Sequence, residues 1–264
     1  MIENFEKNRR IWATLSIMSF LASVLGIINR GIYDHVVSSD IMPGILAQDT
    51  MIMIASIVLF TLAVRARREN TALHIVALGL IGYIFYAYGI YVIEQLYTKL
   101  YFLYMALFGL SFYSIFYSLF NLDIKGEFKP NISRSIRLAS ISFLIITPAI
   151  FYPLWISQLF PLIQNADKLE FMYSIYILDI CFIMPAFVIM AYKYIRKDSL
   201  GIALTPSLFI VGFTLLFPLS MTEALKPVVF DQTMDVAGMG LFLVLSVIYV
   251  GLAILNLRSI RDGL

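Results

Sequence analysis

Charged residues are scarce in this chain of 264 residues, which has 19 Lys and Arg, 17 Asp and Glu and two His. Charged side chains make up 14% of the sequence and hydrophobic ones 61%, and the mean hydropathy is +0.87. A water-soluble globule of this length needs more polar side chains to cover its surface. The composition therefore predicts an integral membrane protein with the lipid bilayer as its partner. The net charge of +2 gives no reason to expect a nucleic-acid partner.

The sequence also lacks the residues that build several cofactor and catalytic sites. Cys181 is the single cysteine, so neither an intramolecular disulfide nor a cysteine-built metal cluster can form. There is no G-x-x-x-x-G-K-[ST] loop for a nucleotide and no H-E-x-x-H pair for zinc. His35 and His74 fall on opposite sides of the predicted membrane, which excludes a bis-histidine haem within it. We therefore expect no cofactor, no metal ion and no catalytic residue, and we favour a protein that is not an enzyme.

Eight apolar runs are each long enough to cross about 30 Å of hydrocarbon as a helix of roughly 20 residues. They cover residues 11–29, 44–64, 72–93, 100–120, 136–156, 171–193, 202–222 and 236–257. The sequence thus predicts an all-α fold, a polytopic transmembrane helical bundle. The first run follows the charged segment MIENFEKNRR, but it is longer than the apolar part of most signal peptides, so we expect a retained helix. We also expect a short surface helix at 29–43 and an irregular outer loop at 157–170.

The basic residues alternate from one predicted connection to the next. Fifteen of the 19 lie at the N-terminus, in the second, fourth and sixth connections and at the C-terminus. The opposite side has only Arg30, Lys99, Lys168 and Lys226. Because basic connections stay in the cytoplasm, we predict that both termini are cytoplasmic and that the protein lies in the plasma membrane.

A shift of about 130 residues aligns the two parts of the chain with each other. The pairs that coincide are Asp49 with Asp179, Gly82 with Gly212 and, within one residue, Glu94 with Glu223. This favours two parallel four-helix halves, at 1–121 and 135–264, joined by a cytoplasmic linker at 122–134. The alternative is an unduplicated bundle, because alternating topology by itself aligns the basic connections.

Two aspartates fall within the predicted hydrocarbon. Asp49 precedes Arg65 by about 24 Å of helix, and Asp179 lies at a similar distance before Lys193 and Arg196. A charged carboxylate at such a depth costs about 2.5 to 3.5 kcal/mol on insertion scales. Because burial disfavours the charged form, both aspartates are candidate proton or cation sites. The simpler alternative is that each one bonds a tyrosine or a helix N-terminus.

Further candidate binding residues lie near these aspartates or closer to the outer surface. They are Glu94, Glu223 and Asp235 at the predicted outer headgroup level, and Gln48, Tyr86 and Tyr104 within spans. Tyrosine hydroxyls at that depth need hydrogen-bond partners. Structural packing is the alternative role for the tyrosines.

Part of the chain resembles a known group of proteins. The pattern is a P-G-x-x-x-Q-D start to one helix, an arginine-rich turn, the tyrosines of YAY, and an L-D helix with a downstream proline. In these features residues 43–220 resemble a widespread family of uncharacterised prokaryotic multi-pass membrane proteins of about eight spans. The resemblance implies that the following residues occupy family motif positions: Pro43, Gly44, Gln48, Asp49, Tyr86, Tyr88, Asp179 and Pro185. It implies no particular activity.

Three classes of function remain open. The preferred one is a secondary transporter or channel for protons, cations or small polar solutes, with Asp49 and Asp179 in an outward-facing cavity and a proline-bent second half that moves. The alternative is an interaction, sensory or assembly subunit that binds a partner protein or lipid. An intramembrane enzyme acting on a lipid would use the carboxylates as acid and base or as metal ligands. The sequence indicates neither the solute nor the oligomeric state.

Overall fold

Eight long helices form the fold in a computed structural model that describes residues 4–67, 70–122, 132–165 and 173–261. They are α1 (Phe5–Ile28), α2 (Met42–Arg65), α3 (Thr71–Ile93), α4 (Tyr101–Phe120), α5 (Arg134–Asn165), α6 (Tyr173–Ile195), α7 (Ser199–Val229) and α8 (Val236–Arg261). Each of them is long and apolar enough to cross a membrane. The predicted all-α bundle of eight spans is confirmed.

Helices α3 and α7 lie at the centre of the bundle. Helix α3 packs against α1, α2, α4, α6, α7 and α8, and α7 packs against α2, α3, α6 and α8. The two central helices approach closely at Gly79, where a Cβ atom would come within 2.8 Å of the Ile210 side chain. A residue without a side chain is therefore required at this crossing.

Polar contacts show that the helices run alternately up and down. Where α1 begins and α4 ends, Asn4 donates to Asn121 at 3.0 Å. Where α6 and α8 end, the Tyr194 hydroxyl donates to Asn256 at 2.7 Å. At the other end of the bundle, Ser174 at the start of α6 donates its amide to Glu94 at the end of α3. The end that contains Asn4 and Asn256 has most of the basic residues, so we call it the basic end. The opposite end, which contains Glu94 and Ser174, is the acidic end.

Several local predictions about helix boundaries are wrong. Residues 157–165 continue α5 instead of forming an irregular loop, although Pro148, Pro153 and Pro161 lie inside this helix. Proline is tolerated there because neighbouring helices can satisfy the carbonyl groups that it frees. The predicted surface helix at 29–43 is only a 3-10 turn, Arg30–Ile32. Residues 123–131 of the predicted linker and residues 166–170 of the predicted loop lie outside the described residues.

Helix α6 contains a feature that the sequence analysis did not predict. Residues Asp179–Ile183 form one turn of π-helix between two α-helical segments. Pro185 follows one residue after this turn and has no amide hydrogen to donate to it. The Tyr152 hydroxyl instead donates to the Ile180 carbonyl at 3.4 Å. Turns of π-helix are common at functional sites, so this turn directs attention to Asp179.

Candidate functional site

Asp49 lies in the first turns of α2 and is only 2% exposed. The Tyr33 hydroxyl, from the connection between α1 and α2, donates to its Oδ2 atom at 2.8 Å. The Tyr91 hydroxyl, near the end of α3, donates to its Oδ1 atom at 2.8 Å. Each oxygen of the carboxyl group therefore has its own tyrosine donor.

A second layer of tyrosines surrounds this site. The Tyr33 and Tyr104 hydroxyls are 3.3 Å apart. Because Tyr33 gives its single proton to Asp49, Tyr104 is the donor in that contact. The rings of Tyr88, Tyr91 and Tyr104 pack on one another with centroids 5.2 to 5.9 Å apart. The packing fixes the position of the Tyr91 hydroxyl at the carboxyl group.

Gly26 in α1 forms the wall on the other side of Asp49. A Cβ atom at this position would lie 2.6 Å from the Tyr33 hydroxyl and closer still to the Asp49 carboxyl group. The backbone of α1 thus lies so close to the Asp49 carboxyl group that only glycine fits between them. The site is tightly enclosed by α1, α3, α4 and the connection that contains Tyr33.

Asp179 is 6% exposed and begins the π-helical turn of α6. Trp155 of α5 donates its indole Nε1–H to Oδ2 at 2.9 Å. The Tyr86 hydroxyl, from α3, lies beside the same carboxyl group. The partners of Asp179 therefore come from both predicted halves of the chain, whereas those of Asp49 come from the first half only.

The two aspartates form two sites and not one. Their donors are different residues, and the tyrosines that α3 contributes, Tyr86 and Tyr91, are five residues apart in its sequence. At 3.6 residues per turn this separation turns the side chains by about 140° around the helix axis. Helix α3 therefore lies between the two carboxyl groups and contacts each with a separate face.

Within the part of the chain that the structure describes, neither aspartate is paired with a cation. The ion pairs in the described parts of the chain are Arg9 with Glu6, Lys193 with Asp198 and Lys226 with Glu223. The described residues also contain no cluster of His, Cys, Asp and Glu that could hold a metal ion. Among the described residues, the donors to each buried carboxyl group are neutral aromatic side chains.

The acidic candidates nearer the acidic end are engaged in helix connections. Glu94 accepts the backbone amide of Ser174 at 2.7 Å and so caps the start of α6. Glu223 pairs with Lys226 at 2.6 Å and also accepts the Asp235 amide at 2.9 Å. Asp235 accepts the Gly238 amide at 3.0 Å in the first turn of α8. These contacts support a structural role for all three acids.

The polar groups of Gln48 are less completely hydrogen-bonded within the described part of the chain. Its backbone carbonyl accepts a long bond of 3.4 Å from the Tyr83 hydroxyl. Its side-chain amide nitrogen is buried and bonds to none of the residues that the structure describes. Gln48 and Asp49 are adjacent in sequence, so they point in different directions from α2.

An apolar groove lies apart from both carboxyl groups, towards the basic end. It has a volume of about 450 Å³ and lies between α3, α4, α6 and α7. Its walls include Phe85, Phe116 and Phe182 together with the exposed Cys181. The groove is open at the surface of the bundle, where Cys181 and Phe182 are exposed.

Most of the donors at the two sites are not among the residues that were predicted from the sequence. Tyr33, Tyr91 and Trp155 supply the hydrogen bonds, and Gly26 supplies the close wall at Asp49. Trp155 is one of two tryptophans and lies within a predicted span, where an indole N–H needs an acceptor, so it could have been predicted as a donor. Tyr33 lies in a short polar connection, where no periodicity relates it to Asp49.

The chain matches no family model, and neither a curated protein nor a solved structure is detectably similar to it. The class of protein rests on the fold itself. Eight helices long and apolar enough to span a membrane define an integral, multi-pass membrane protein. The resemblance to a prokaryotic family stays a prediction, and so do the plasma-membrane location and the cytoplasmic termini.

Proposed function

We propose that the protein is a secondary transporter or channel for protons or other small cations, with Asp49 and Asp179 as its cation-accepting groups. The observation that carries this proposal is the pair of buried carboxyl groups, neither of which has a cationic partner among the described residues. A buried carboxylate that lacks a counter-charge is strongly disfavoured in an apolar bundle. Binding a proton or a small cation removes that charge, so both groups are suited to take up and release one.

Asp179 is the better candidate for the step that moves the ion. It lies where α5 and α6 meet α3, so its surroundings change if the first four helices move relative to the last four. The π-helical turn that starts at Asp179 supports the same role, since such a turn lacks the regular hydrogen bonds of an α-helix. Asp49, enclosed by tyrosines and by Gly26, is the fixed member of the pair.

A flux assay in proteoliposomes tests the proposal. Purified wild-type protein is reconstituted with a pH-sensitive dye inside, and proton movement is measured under an imposed membrane potential and under inward Na⁺ or K⁺ gradients. We expect flux through the wild type and loss of most of it in Asp179→Asn. Asp49→Asn should also lower the flux, because it removes the second carboxyl group.

Glu6→Gln is the matched control, because it removes the same charge from a side chain that is 68% exposed. It should leave the flux unchanged. Folding of each variant is checked by its elution as a single species in detergent. Wild-type vesicles that move none of these ions, or folded aspartate variants that keep wild-type flux, would contradict the proposal.

The apolar groove favours a second candidate function, the binding of a lipid. Its volume of about 450 Å³ and its nearly all-hydrocarbon walls suit one acyl chain from the leaflet at the basic end. Such binding fits an interaction or sensory subunit better than a transporter. The two functions are separable, because the groove contains neither aspartate.

Native mass spectrometry after graded removal of lipid tests this alternative. Wild-type protein should retain a lipid that Ala186→Trp loses, since Ala186 lies in the groove and a tryptophan there would fill it. The control is Ala237→Trp, on an exposed part of α8. Equal retention by all three proteins would show that the groove holds no specific lipid.

A further inference from the structure

Three buried polar atoms at the basic end of the bundle have no hydrogen-bond partner among the described residues. They are Nδ2 of Asn8 and Nε1 of Trp12 in α1, and Nδ1 of His74 in α3. Their side chains belong to residues that are only 1 to 3% exposed. Buried polar atoms are almost always hydrogen-bonded in folded proteins, so three of them close to one another point to a shared bonding partner.

The same three residues line one small cavity. Its volume is about 10 Å³, and Ser118 of α4 closes it on a further side. This volume corresponds to about one water molecule and is too small for an organic ligand or a phosphate. The Trp12 and His74 rings lie beside each other, with centroids 5.0 Å apart.

The contacts around the cavity determine which atoms donate and which accept. His74 Nε2 lies 3.3 Å from the Arg67 carbonyl oxygen, which can only accept, so Nε2 has the proton. In a neutral imidazole, Nδ1 is then an acceptor. Asn8 Oδ1 already accepts from Ser118 at 3.1 Å, which leaves the amide nitrogen for the cavity. Trp12 Nε1 can only donate.

We propose that this cavity binds one ordered water molecule that joins α1 to α3. The water accepts hydrogen bonds from Trp12 Nε1 and Asn8 Nδ2 and donates one to His74 Nδ1. Two donors and one acceptor match the bonding capacity of a buried water, which typically forms about three bonds. The site is independent of the proposed transport function, because it shares no residue with either aspartate site.

The other half of the bundle shows the contrast at the same end. Asn256 of α8 accepts from Tyr194 at 2.7 Å and donates to Ser140 at 2.8 Å. It also donates to the Leu252 carbonyl at 2.8 Å. Protein groups thus satisfy this amide directly, whereas Asn8 requires a bridging molecule to reach Trp12 and His74.

Solid-state NMR of the protein in lipid bilayers tests the proposal. The chain has two histidines, and His35 is exposed, so His35→Asn with ¹⁵N-labelled histidine leaves a single signal set from His74. We expect a protonated Nε2, an unprotonated Nδ1, and polarisation transfer from water protons to Nδ1. A protonated Nδ1, or no transfer from water, would overturn the assignment.

Two further variants separate a bound water from general hydration. Asn8→Leu places a branched hydrocarbon at the cavity and should abolish the water transfer to Nδ1 while Nε2 stays protonated. Ser118→Ala removes only the bond to Asn8 Oδ1 and should keep the transfer. If Asn8→Leu does not fold, a high-resolution map of the wild type decides. One density peak about 2.7 to 3.2 Å from all three atoms would support the water site, and the lack of such a peak would overturn it.

Discussion

Asp49 and Asp179 occupy comparable positions in α2 and α6, yet their surroundings differ. Asp49 accepts two tyrosine hydroxyls from the first half of the chain and is closed in by Gly26. Asp179 accepts an indole N–H from α5 and lies beside a tyrosine of α3. The contacts of Asp49 therefore join helices within the first predicted half. Those of Asp179 lie on the boundary between the two predicted halves.

The same residue type at the same predicted depth therefore has two different surroundings. Asp49 lies in the regular α-helix Met42–Arg65 and is surrounded by packed tyrosine rings. Asp179 begins a π-helical turn, two residues before an exposed cysteine. A relative movement of the two halves would leave the contacts of Asp49 intact and alter those of Asp179.

Disruption of the tighter site, at Asp49, should have the largest effect. Gly26→Ala puts a methyl group against the Asp49 carboxyl and the Tyr33 hydroxyl, so that α1 must move away from α2. We expect a loss of about 3 kcal/mol in the free energy of unfolding, from overpacking and weakened bonds to a buried carboxyl. Reversible unfolding in mixed detergent micelles measures it.

Gly109→Ala in α4 is the control for that substitution. A Cβ atom there has no described residue of another helix within 4 Å, so the variant should be as stable as the wild type or slightly more stable. Equal stability of the Gly26 and Gly109 variants would show that α1 does not enclose Asp49.

A smaller effect should distinguish the hydrogen bonds at the two sites. In a double-mutant cycle, Tyr91→Phe and Asp49→Asn should be coupled by about 1 to 3 kcal/mol, because both groups are fully buried. Trp155→Phe and Asp179→Asn should be coupled by less than about 1 kcal/mol. Trp155 is only half-buried, so a water molecule can take the place of its indole N–H as the donor to Asp179. The cycles are measured by the same unfolding experiment. The reverse order would contradict the division into a fixed site and a boundary site.

The smallest expected effect compares the starts of the two central helices. Asp198 caps α7, accepting the amides of Leu200 at 2.9 Å and Gly201 at 3.1 Å. Asn70 precedes α3 and forms no side-chain capping bond in the described part of the chain. Asp198→Ala should cost about 1 kcal/mol, and Asn70→Ala only a few tenths. Equal losses would show that the Asp198 cap contributes nothing specific.

The same cap predicts a pH dependence. The hydrogen bond from the Gly201 amide lowers the pKa of Asp198 below its usual value. The contribution of the cap is therefore fully present above the ordinary carboxyl range and is lost as the pH falls through the lowered pKa. The stability difference between wild type and Asp198→Ala should shrink in acid, and a constant difference would argue against the cap.

The helices could be predicted because each depends mainly on a run of apolar residues of sufficient length. Their ends could not be predicted equally well. The segment 157–165 contains polar residues and a proline, yet it continues α5, because helix ends depend on neighbours and caps more than on hydropathy. The π-helical turn at Asp179 has no signal in the apolar pattern beyond the nearby Pro185.

The all-α membrane class, the number of spans and the location of two aspartates within them could all be predicted from the sequence. These features follow from composition and length, which act along the chain. The hydrogen bonds at the two aspartates were visible only in the tertiary structure. Tyr33 and Tyr91 donate to Asp49, and Trp155 donates to Asp179. The position of α3 between the two carboxyl groups was also visible only there. Such contacts join residues that are distant in the sequence, and they depend on the packing of whole helices, which no local pattern encodes.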